Sequence, residues 1–517
     1  MPEALRRGLV APAPLSPPAI ALEDPGITAF VGRCLRGPVG EPTTVRSAEE
    51  FQRRFGGLWQ PSMLSYAVEQ FFGQGGRQAL IVRVANGARA ATLDLPAGRG
   101  AIRLRALVPG TREHLRAAVD YDGIGDGERF NLTVQRLLAP GTERIESQES
   151  HRQVSWRPGA ERYVGDVLLN SRLVRCAAAE GQARPQATWR LTASGQQAYV
   201  ASNADGDDGA RLTDYDLIGS PELRSGLQAL AASELQFGLL CLPPLDREHD
   251  VGVAALLVAA RLCRTRHALL LVDPPAAWTD AAAALQALGT WPLQAAEACM
   301  FYPRVLMPDR LRGQVECFGN VGAIAGMLAR TDGLAPLPAL GTRLQLRAPL
   351  LPAGAVAEAE AQRLERLGVN TLRAQCSAAV TMVTELQGRR GARNLRARRL
   401  AQLLATCIER GTRWALYEPP GEPVWRALRA QVAALLEQVR AQGGLAGGGA
   451  GSSFEVICDA RLNDGAERRR GELALLYGIA QQQPGEFEFW LVRHRLAGST
   501  VLPVSANARL CHGGPTA

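Results

Sequence analysis

Three short apolar runs, at residues 238–242, 268–272 and 298–302, alternate with alanine-rich stretches at 251–264 and 280–288. No other feature of the chain constrains its fold as tightly. Each run is long enough for a strand buried on both faces and too short for a helix. Parallel strands need crossovers of about a dozen residues or more, and the intervening stretches supply that length. Residues 212–373 therefore predict βαβ units around a largely parallel sheet, within a central α/β domain at 212–392.

The flanking regions carry other patterns. Residues 1–24 are rich in Pro and Ala without helical periodicity, which predicts an extended arm. An apolar run at 27–31 reads as a buried strand. Ser47 followed by Glu49 and Glu50 has the form of a helix N-cap, and Gly56-Gly57 ends that helix after Phe55. A second helix carries Tyr66, Val68, Phe71 and Phe72, and a strand follows at 79–84, so residues 25–85 make a compact α/β unit. Short alternating strands such as 130–134 and 199–200, separated by turn clusters, predict a β-rich inserted domain at 86–211.

In 393–498 the pattern gives a helix at 394–410, a strand at 413–417 and a helix at 424–442. Val424, Leu428, Val432, Leu435 and Val439 recur along the second helix at helical spacing. Residues 443–453 read as a flexible link, 454–458 and 487–492 as strands, and 499–517 as a second extended arm.

The length, 517 residues with 46% hydrophobic, suits roughly three or four globular domains. All 58 basic residues are arginines against 50 acidic ones, a net charge of +8. Without lysine there is no Schiff-base catalysis and no Walker A phosphate site. The positive excess suits an acidic partner surface, but the arginines are spread along the chain, so nucleic acid is not expected as a partner. The ten cysteines include no CxxC pair and several lie in apolar runs, which fits a reducing cytoplasm. Pro12, Pro14, Pro17 and Pro18 break the apolar run that a signal peptide needs, and no stretch is long enough to span a bilayer. Cytoplasmic assembly without membrane insertion is expected.

Catalytic motifs are weak. The glycine-rich stretch 443–451 follows a helix instead of a strand and lacks the Gly-Lys-Ser/Thr ending of a phosphate loop. Asp205, Asp207 and Asp208 resemble part of a calcium loop, but no glutamate closes it. His267 and Asp273 flank an apolar strand as a base and its orienter could, yet no Gly-x-Ser-x-Gly nucleophile accompanies them.

Longer segments are more specific. They run in order from Thr28-Ala29-Phe30-Val31-Gly32-Arg33 through Arg36-Gly37-Pro38-Val39, Phe55-Gly56-Gly57-Leu58-Trp59 and Leu64-Ser65-Tyr66-Ala67-Val68. Then come Leu240-Cys241-Leu242-Pro243-Pro244, Leu271-Val272-Asp273-Pro274-Pro275, Phe301-Tyr302-Pro303-Arg304 and Gly322-Ala323-Ile324-Ala325-Gly326. The most specific is Glu409-Arg410-Gly411-Thr412-Arg413-Trp414-Ala415 with Tyr417-Glu418-Pro419. This series resembles phage-type contractile tail sheath proteins, including sheaths of extracellular contractile injection systems, over nearly the whole chain.

The resemblance implies an α/β and α+β multidomain fold, with an inner α/β domain built from N- and C-terminal parts, β-rich and α/β outer domains inserted, and extended terminal arms. It implies a structural protein that is not an enzyme and needs no cofactor or metal. Such a subunit polymerises helically with its own copies around an inner tube protein, meets baseplate and terminator or cap proteins, can meet paralogous sheath subunits, and resides in a virion or phage tail-like particle. Its arms would add strands to neighbouring subunits, with Val10 and Ile20 in the N-terminal arm and Val501 and Val504 in the C-terminal one. The helix after Trp425, with Arg426, Arg429 and Arg440, would face the tube. Two segments depart from the family pattern, 334–339 and 383–391, and suggest a divergent paralogue. A non-polymerising cap or baseplate adaptor and a hydrolase on the central α/β domain are the other readings.

Overall fold

The computed structural model describes residues 17–139, 141–179, 183–188, 199–293, 295, 297–332, 345–373, 395–463 and 471–504. Val10, the segments 334–339 and 383–391, and the last thirteen residues, 505–517, lie outside these.

The first elements are β1 (Thr28–Gly32), β2 (Thr43–Val45), α1 (Ala48–Phe55), α2 (Met63–Gly73) and β3 (Ala79–Arg83). Ser47 caps α1 by accepting from the Glu50 amide at 3.1 Å, and Gly56 ends it in the left-handed region at φ 91°. Next come β4 (Thr92–Ala97), β5 (Gly100–Ala106), β6 (His114–Asp120), β7 (Arg129–Leu137), β8 (Ile145–Ser155), α3 (Val164–Val167), β9 (Val174–Ala179) and β10 (Val200–Ala201). They form two antiparallel sheets, β10-β6-β7-β8 and β4-β5-β9, closed on a shared core that includes Leu93, Leu104, Val119, Phe130 and Val134.

The central region holds α4 (Asp214–Ile218), α5 (Gly226–Ala232), β11 (Leu239–Cys241), α6 (Val253–Arg266), β12 (Leu269–Val272), α7 (Ala281–Leu288) and β13 (Ala298–Tyr302). It continues with β14 (Val305–Asp309), β15 (Gln314–Phe318), α8 (Val321–Asp332), β16 (Leu351–Pro352), α9 (Glu358–Arg366) and β17 (Val369–Thr371). One seven-stranded sheet runs β17-β13-β12-β11-β1-β3-β2, parallel throughout except for β2.

β1 is buried along its whole length and needs a strand on each side; β3 supplies one and β11 the other, with Thr28 opposite Leu239. Residues 25–85 complete the central sheet, and among the described residues none of their strands pairs with a strand of the C-terminal region. Phe30, Phe71 and Ile324 fill one face of this sheet, and Ala29, Leu240 and Leu256 the other. On the first face α8 lies so close to α2 that a Cβ at Gly322 would come within 2.0 Å of the Ala67 carbonyl oxygen. That contact accounts for the glycines of the 322–326 motif.

A small sheet, β15-β14-β16, packs on this first face through Val305, Met307 and Phe318. Arg247, in the loop after β11, fastens it by ion pairs to the fully buried Asp309 and to Glu316.

The C-terminal domain comprises α10 (Leu395–Gly411), a 3-10 turn (Arg413–Tyr417), α11 (Glu422–Ala441), α12 (Ala450–Ser453), β18 (Phe454–Ile457), β19 (Leu473–Ala480), β20 (Phe487–Arg495) and β21 (Gly498–Val504). The strands form one antiparallel sheet in the order β18-β19-β20-β21. Three expectations are corrected here. Residues 413–417 are a 3-10 turn and not a strand: among the described residues no strand pairs with them, and the Ala415 amide donates to the Thr412 carbonyl at 3.3 Å. The stretch 443–453 is packed and not a flexible link: Leu445 is buried, the Ala446 amide donates to the Ala480 carbonyl at 2.8 Å, and the last residues form α12. Finally, 498–504 is not free arm but a strand of the chain's own sheet, with Val501 opposite Val492.

Candidate inter-subunit surface

α10 turns Leu400, Leu404, Cys407 and Ile408 inward, and α11 does the same with Val424, Leu428, Val432, Leu435 and Val439. These apolar stripes, at helical spacing, meet Leu475, Tyr477, Ile479, Trp490, Val492 and Val501 from the sheet. Ile20 belongs to the same core.

The segment from 17 to 25 is laid along α10 and held by side chains. Gln431 donates through Nε2 to the Pro18 carbonyl at 2.6 Å and to the Gly411 carbonyl at 3.1 Å, while its Oε1 accepts from Trp414 Nε1 at 3.0 Å. Arg410 pairs with Glu23 at 2.8 Å, and Arg399 donates to the Pro25 carbonyl at 2.9 Å. Ile20 presses on Gly411 so tightly that a Cβ there would meet Ile20 Cγ1 at 2.6 Å. The sequence held a signal for Gln431: it is an amide on the apolar stripe between Leu428 and Leu435, and a buried amide needs several partners.

At the other end of the chain, β21 forms the outer strand of the sheet, and its far side has no strand partner among the described residues. Val501 points into the core, Val504 is half-buried opposite Phe489, and Leu502 is exposed. Leu496, in the turn before β21, and Tyr417 are exposed large side chains of the same domain.

A buried polar relay anchors this hairpin. His494 is fully buried between Thr412 Oγ1 at 2.8 Å on Nε2 and Ser499 Oγ at 2.7 Å on Nδ1. Thr412 spends its own proton on the Ile408 carbonyl at 2.5 Å, so the imidazole carries its proton on Nε2 and accepts from Ser499 at Nδ1. Burial pushes the His494 pKa down to about 4, with nearby Glu409 opposing the shift. At neutral pH the ring is uncharged and ties β20 and β21 to the end of α10.

Residues 17–25 and 498–504 therefore both pack in this domain, and Ile20 and Val501 share its core. The three arginines of α11 separate. Arg429 pairs with Glu422 at 2.7 Å and donates to the Cys458 carbonyl, and Arg440 pairs with Glu437 at 2.5 Å. Arg426 is exposed and makes no ion pair among the described residues.

The residues weighed for chemistry have other occupations. His267 ends α6 in the left-handed region at φ 51°, with Nε2 3.5 Å from Glu409. Asp273, beyond the far end of β12, accepts from the Asn320 amide at 2.5 Å and the Val321 amide at 3.0 Å and so caps α8. Asp208 accepts from the amide and hydroxyl of Thr111 at 3.0 and 2.7 Å, and Asp207 from Arg89 at 3.2 Å. Among the described residues no group of three or more His, Cys, Asp or Glu side chains is placed to hold a metal ion. No helix among them is long and apolar enough to cross a membrane.

A sheath tail protein from Listeria innocua has this fold, with a TM-score of 0.62 at 14% identity over 92% of this chain and 97% of that one. The helical sheath of the anti-feeding prophage in its contracted state aligns with a TM-score of 0.52 at 16% identity over 94% of this chain and 98% of that one. The PVC sheath complex of an extracellular contractile injection system, also contracted, aligns at 0.51 and 14% identity over 94% and 95%. No protein family's model matches the chain, and no curated protein does. At these identities the likeness is one of fold, and the chain has the fold of contractile-tail sheath proteins.

Proposed function

We propose that this chain is the structural subunit of a contractile sheath, polymerising helically with its own copies around an inner tube and contracting to drive that tube through a target envelope. The observation that carries this is that residues 17–25 pack into the same domain as β21, whose outer edge has no strand partner among the described residues. An open sheet edge is a template for another chain, and main-chain pairing at such an edge suits the exchange of strands between copies. Contraction is then a downhill passage between two packings of the same subunits, with the arms as hinges and no nucleotide consumed. Baseplate, terminator and paralogous sheath proteins are the further partners in this reading. Assembly takes place in the cytoplasm, and the product is a phage tail or tail-like particle. Arg426, exposed and without an ion pair among the described residues, is the tube-facing charge.

The test is truncation at the points the packing allows. Removing residues 1–16 leaves Ile20 and its contacts in place, whereas cutting at 22 would remove part of the core. Mixed with tube protein, the full chain should form sheaths of regular diameter in the electron microscope, and the chain lacking 1–16 should stay a folded monomer. Normal-length sheaths from the truncated chain would overturn the reading of the N-terminal arm. A full-length chain that stops at single rings would instead favour a cap or baseplate adaptor.

A further inference from the structure

The two antiparallel sheets from β4 to β10 pack on a core of their own, separate from the two cores that flank the central sheet. What joins this unit to the rest is polar. The chain crosses into it after β3 and back before α4, and the two crossings are bonded to each other. The Ala210 amide donates to the Asn86 carbonyl and Asn86 Nδ2 to the Arg211 carbonyl, both at 2.8 Å. Beside this neck, arginines at the ends of β1 and β3 reach across the boundary. Arg33 donates to the Asp208 and Gly209 carbonyls at 3.1 and 3.0 Å. The buried Arg83 bridges from the Gly37 carbonyl at 2.7 Å to the Pro109 carbonyl at 2.9 Å. Units joined by a narrow polar contact turn relative to each other unless something latches them.

Arg36, in the loop after β1, pairs with Glu146 Oε1 of β8 at 2.6 Å. Arg136 of β7 holds the Oε2 atoms of two acids, Glu146 at 3.1 Å and Glu113 at 3.5 Å. Glu113 is buried, and its charge acts on Arg36 and Arg83 as well as on Arg136. Its Oε1 has no hydrogen-bond partner among the described residues, and neither has the buried Nε of Arg36. The two acids are thus alike in giving Oε2 to Arg136, and differ in that Glu146 gives Oε1 to Arg36 while Glu113 Oε1 is left over. A carboxylate oxygen and a guanidinium N–H unspent on opposite sides of one boundary are complementary. Because Arg136 stays with both acids, Arg36 can exchange one for the other without stranding either.

We propose that the β4–β10 unit turns on its neck between two orientations, with Arg36 bound to Glu146 Oε1 in the one described above and to Glu113 Oε1 in the other. Interfaces of this kind switch between discrete packings and do not deform continuously. The motion belongs to the single chain, so its failure would leave the sheath reading untouched.

The test is a distance measured in the free chain. Cys317 of β15 is exposed, and the other described cysteines except Cys176 are buried. A side chain at Gly125, between β6 and β7, meets nothing within 4 Å. In a full chain carrying Cys176→Ser, Cys376→Ser and Cys511→Ser, spin labels on Cys317 and Gly125→Cys report the separation of the two bodies by pulsed electron paramagnetic resonance. Two distances should appear, one of them matching the orientation described. Glu113→Gln keeps the shape and gives up the charge, and should reduce the share of the other distance about tenfold, the worth of one charge-assisted hydrogen bond. Glu146→Gln should reduce the share of the matching distance by a similar factor. A single distance in all three proteins would overturn the proposal, as would two distances whose shares move the same way in both variants or in neither. Should Glu113→Gln fail to fold, a Glu146→Gln chain that keeps the parent's shares overturns it alone, and one that shifts away from the matching distance upholds it.

Discussion

In the central sheet, β13, β12, β11, β1 and β3 are buried along their whole length, and the outermost strands, β17 and β2, have three residues each. The C-terminal sheet ends instead in a seven-residue strand whose outer edge has no strand partner among the described residues. Short edges offer little main chain for pairing, and a long one offers a great deal. The two sheets differ in what they leave for other chains: the central one is buried and ends in short strands, and under the proposed function the C-terminal one would offer its outer strand to neighbours.

The largest expected effect sharpens that division. Phe30 is fully buried, with its ring 5.5 Å from that of Phe71 in an edge-to-face pair. Phe30→Ala should cost about 3–5 kcal/mol, read as a lower urea midpoint. Leu502→Ala, on the exposed side of β21, should stay within about 0.5 kcal/mol in the same titration while weakening assembly. Equal losses from the two variants would break the comparison.

Next in size is an opposed response to acid. The buried His494 has its pKa lowered from 6.5 to about 4, so its contribution is complete above 6.5 and is lost as the pH falls toward 4, by about 3 kcal/mol. Asp273 behaves the other way. Burial raises it from 3.8 to about 6, opposed by Arg304 and the two amides it accepts from, so the folded state takes up a proton first and gains about 3 kcal/mol as the pH falls from 6 to 3.8. Hydrogen exchange should therefore speed up in β20 and slow in β12 between pH 6.5 and 4.5. The same trend in both strands would show that the two sheets do not respond as separate units.

A smaller effect concerns the junction between the N-terminal segment and the C-terminal domain. Gln431→Ala removes the amide that holds the Pro18 and Gly411 carbonyls and Trp414 Nε1. Leaving such buried groups unpaired should cost about 2 kcal/mol, localised to this junction. Limited proteolysis should then cut near residues 17–24 while the central sheet keeps its urea midpoint. A variant as resistant as the wild type would show the segment to be held by Ile20 alone.

The same contrast decides how much was legible in advance. The central strands announce themselves because burial on both faces demands uninterrupted apolar runs, and the Ser47 cap and Gly56 stop of α1 are purely local. What sequence could not give was which runs lie side by side: nothing local in Thr28–Gly32 says that its neighbour is Leu239–Cys241, some 210 residues on, as the register shows. The segment at 413–417 looks like a strand because Trp414, Leu416 and Tyr417 favour extended backbone, yet that preference acts only where a partner strand exists. β19, Leu473–Ala480, is apolar, but it follows closely on an arginine-rich stretch that obscures where the strand begins. Of the surface residues, Ile20 and Val501 were visible as apolar positions near the chain ends, but that each packs into the chain's own core depends on tertiary contacts.

The smallest effect on folding is also the most selective probe of assembly. Charge reversal at Arg429 would do two things at once, because its guanidinium pairs with Glu422 and donates to the Cys458 carbonyl at the end of β18; any loss of sheath could then come from the damaged domain. Arg426 stands one turn earlier, exposed and without an ion pair among the described residues. Arg426→Glu should leave the urea midpoint unchanged within about 0.5 kcal/mol, since nothing in the subunit depends on that charge. If α11 faces the tube, the variant should nevertheless fail to copolymerise with tube protein, and the defect should ease as salt screens the reversed charge. Normal copolymerisation at low salt would turn α11 away from the tube and leave the open edge of β21 as the assembly feature of this domain.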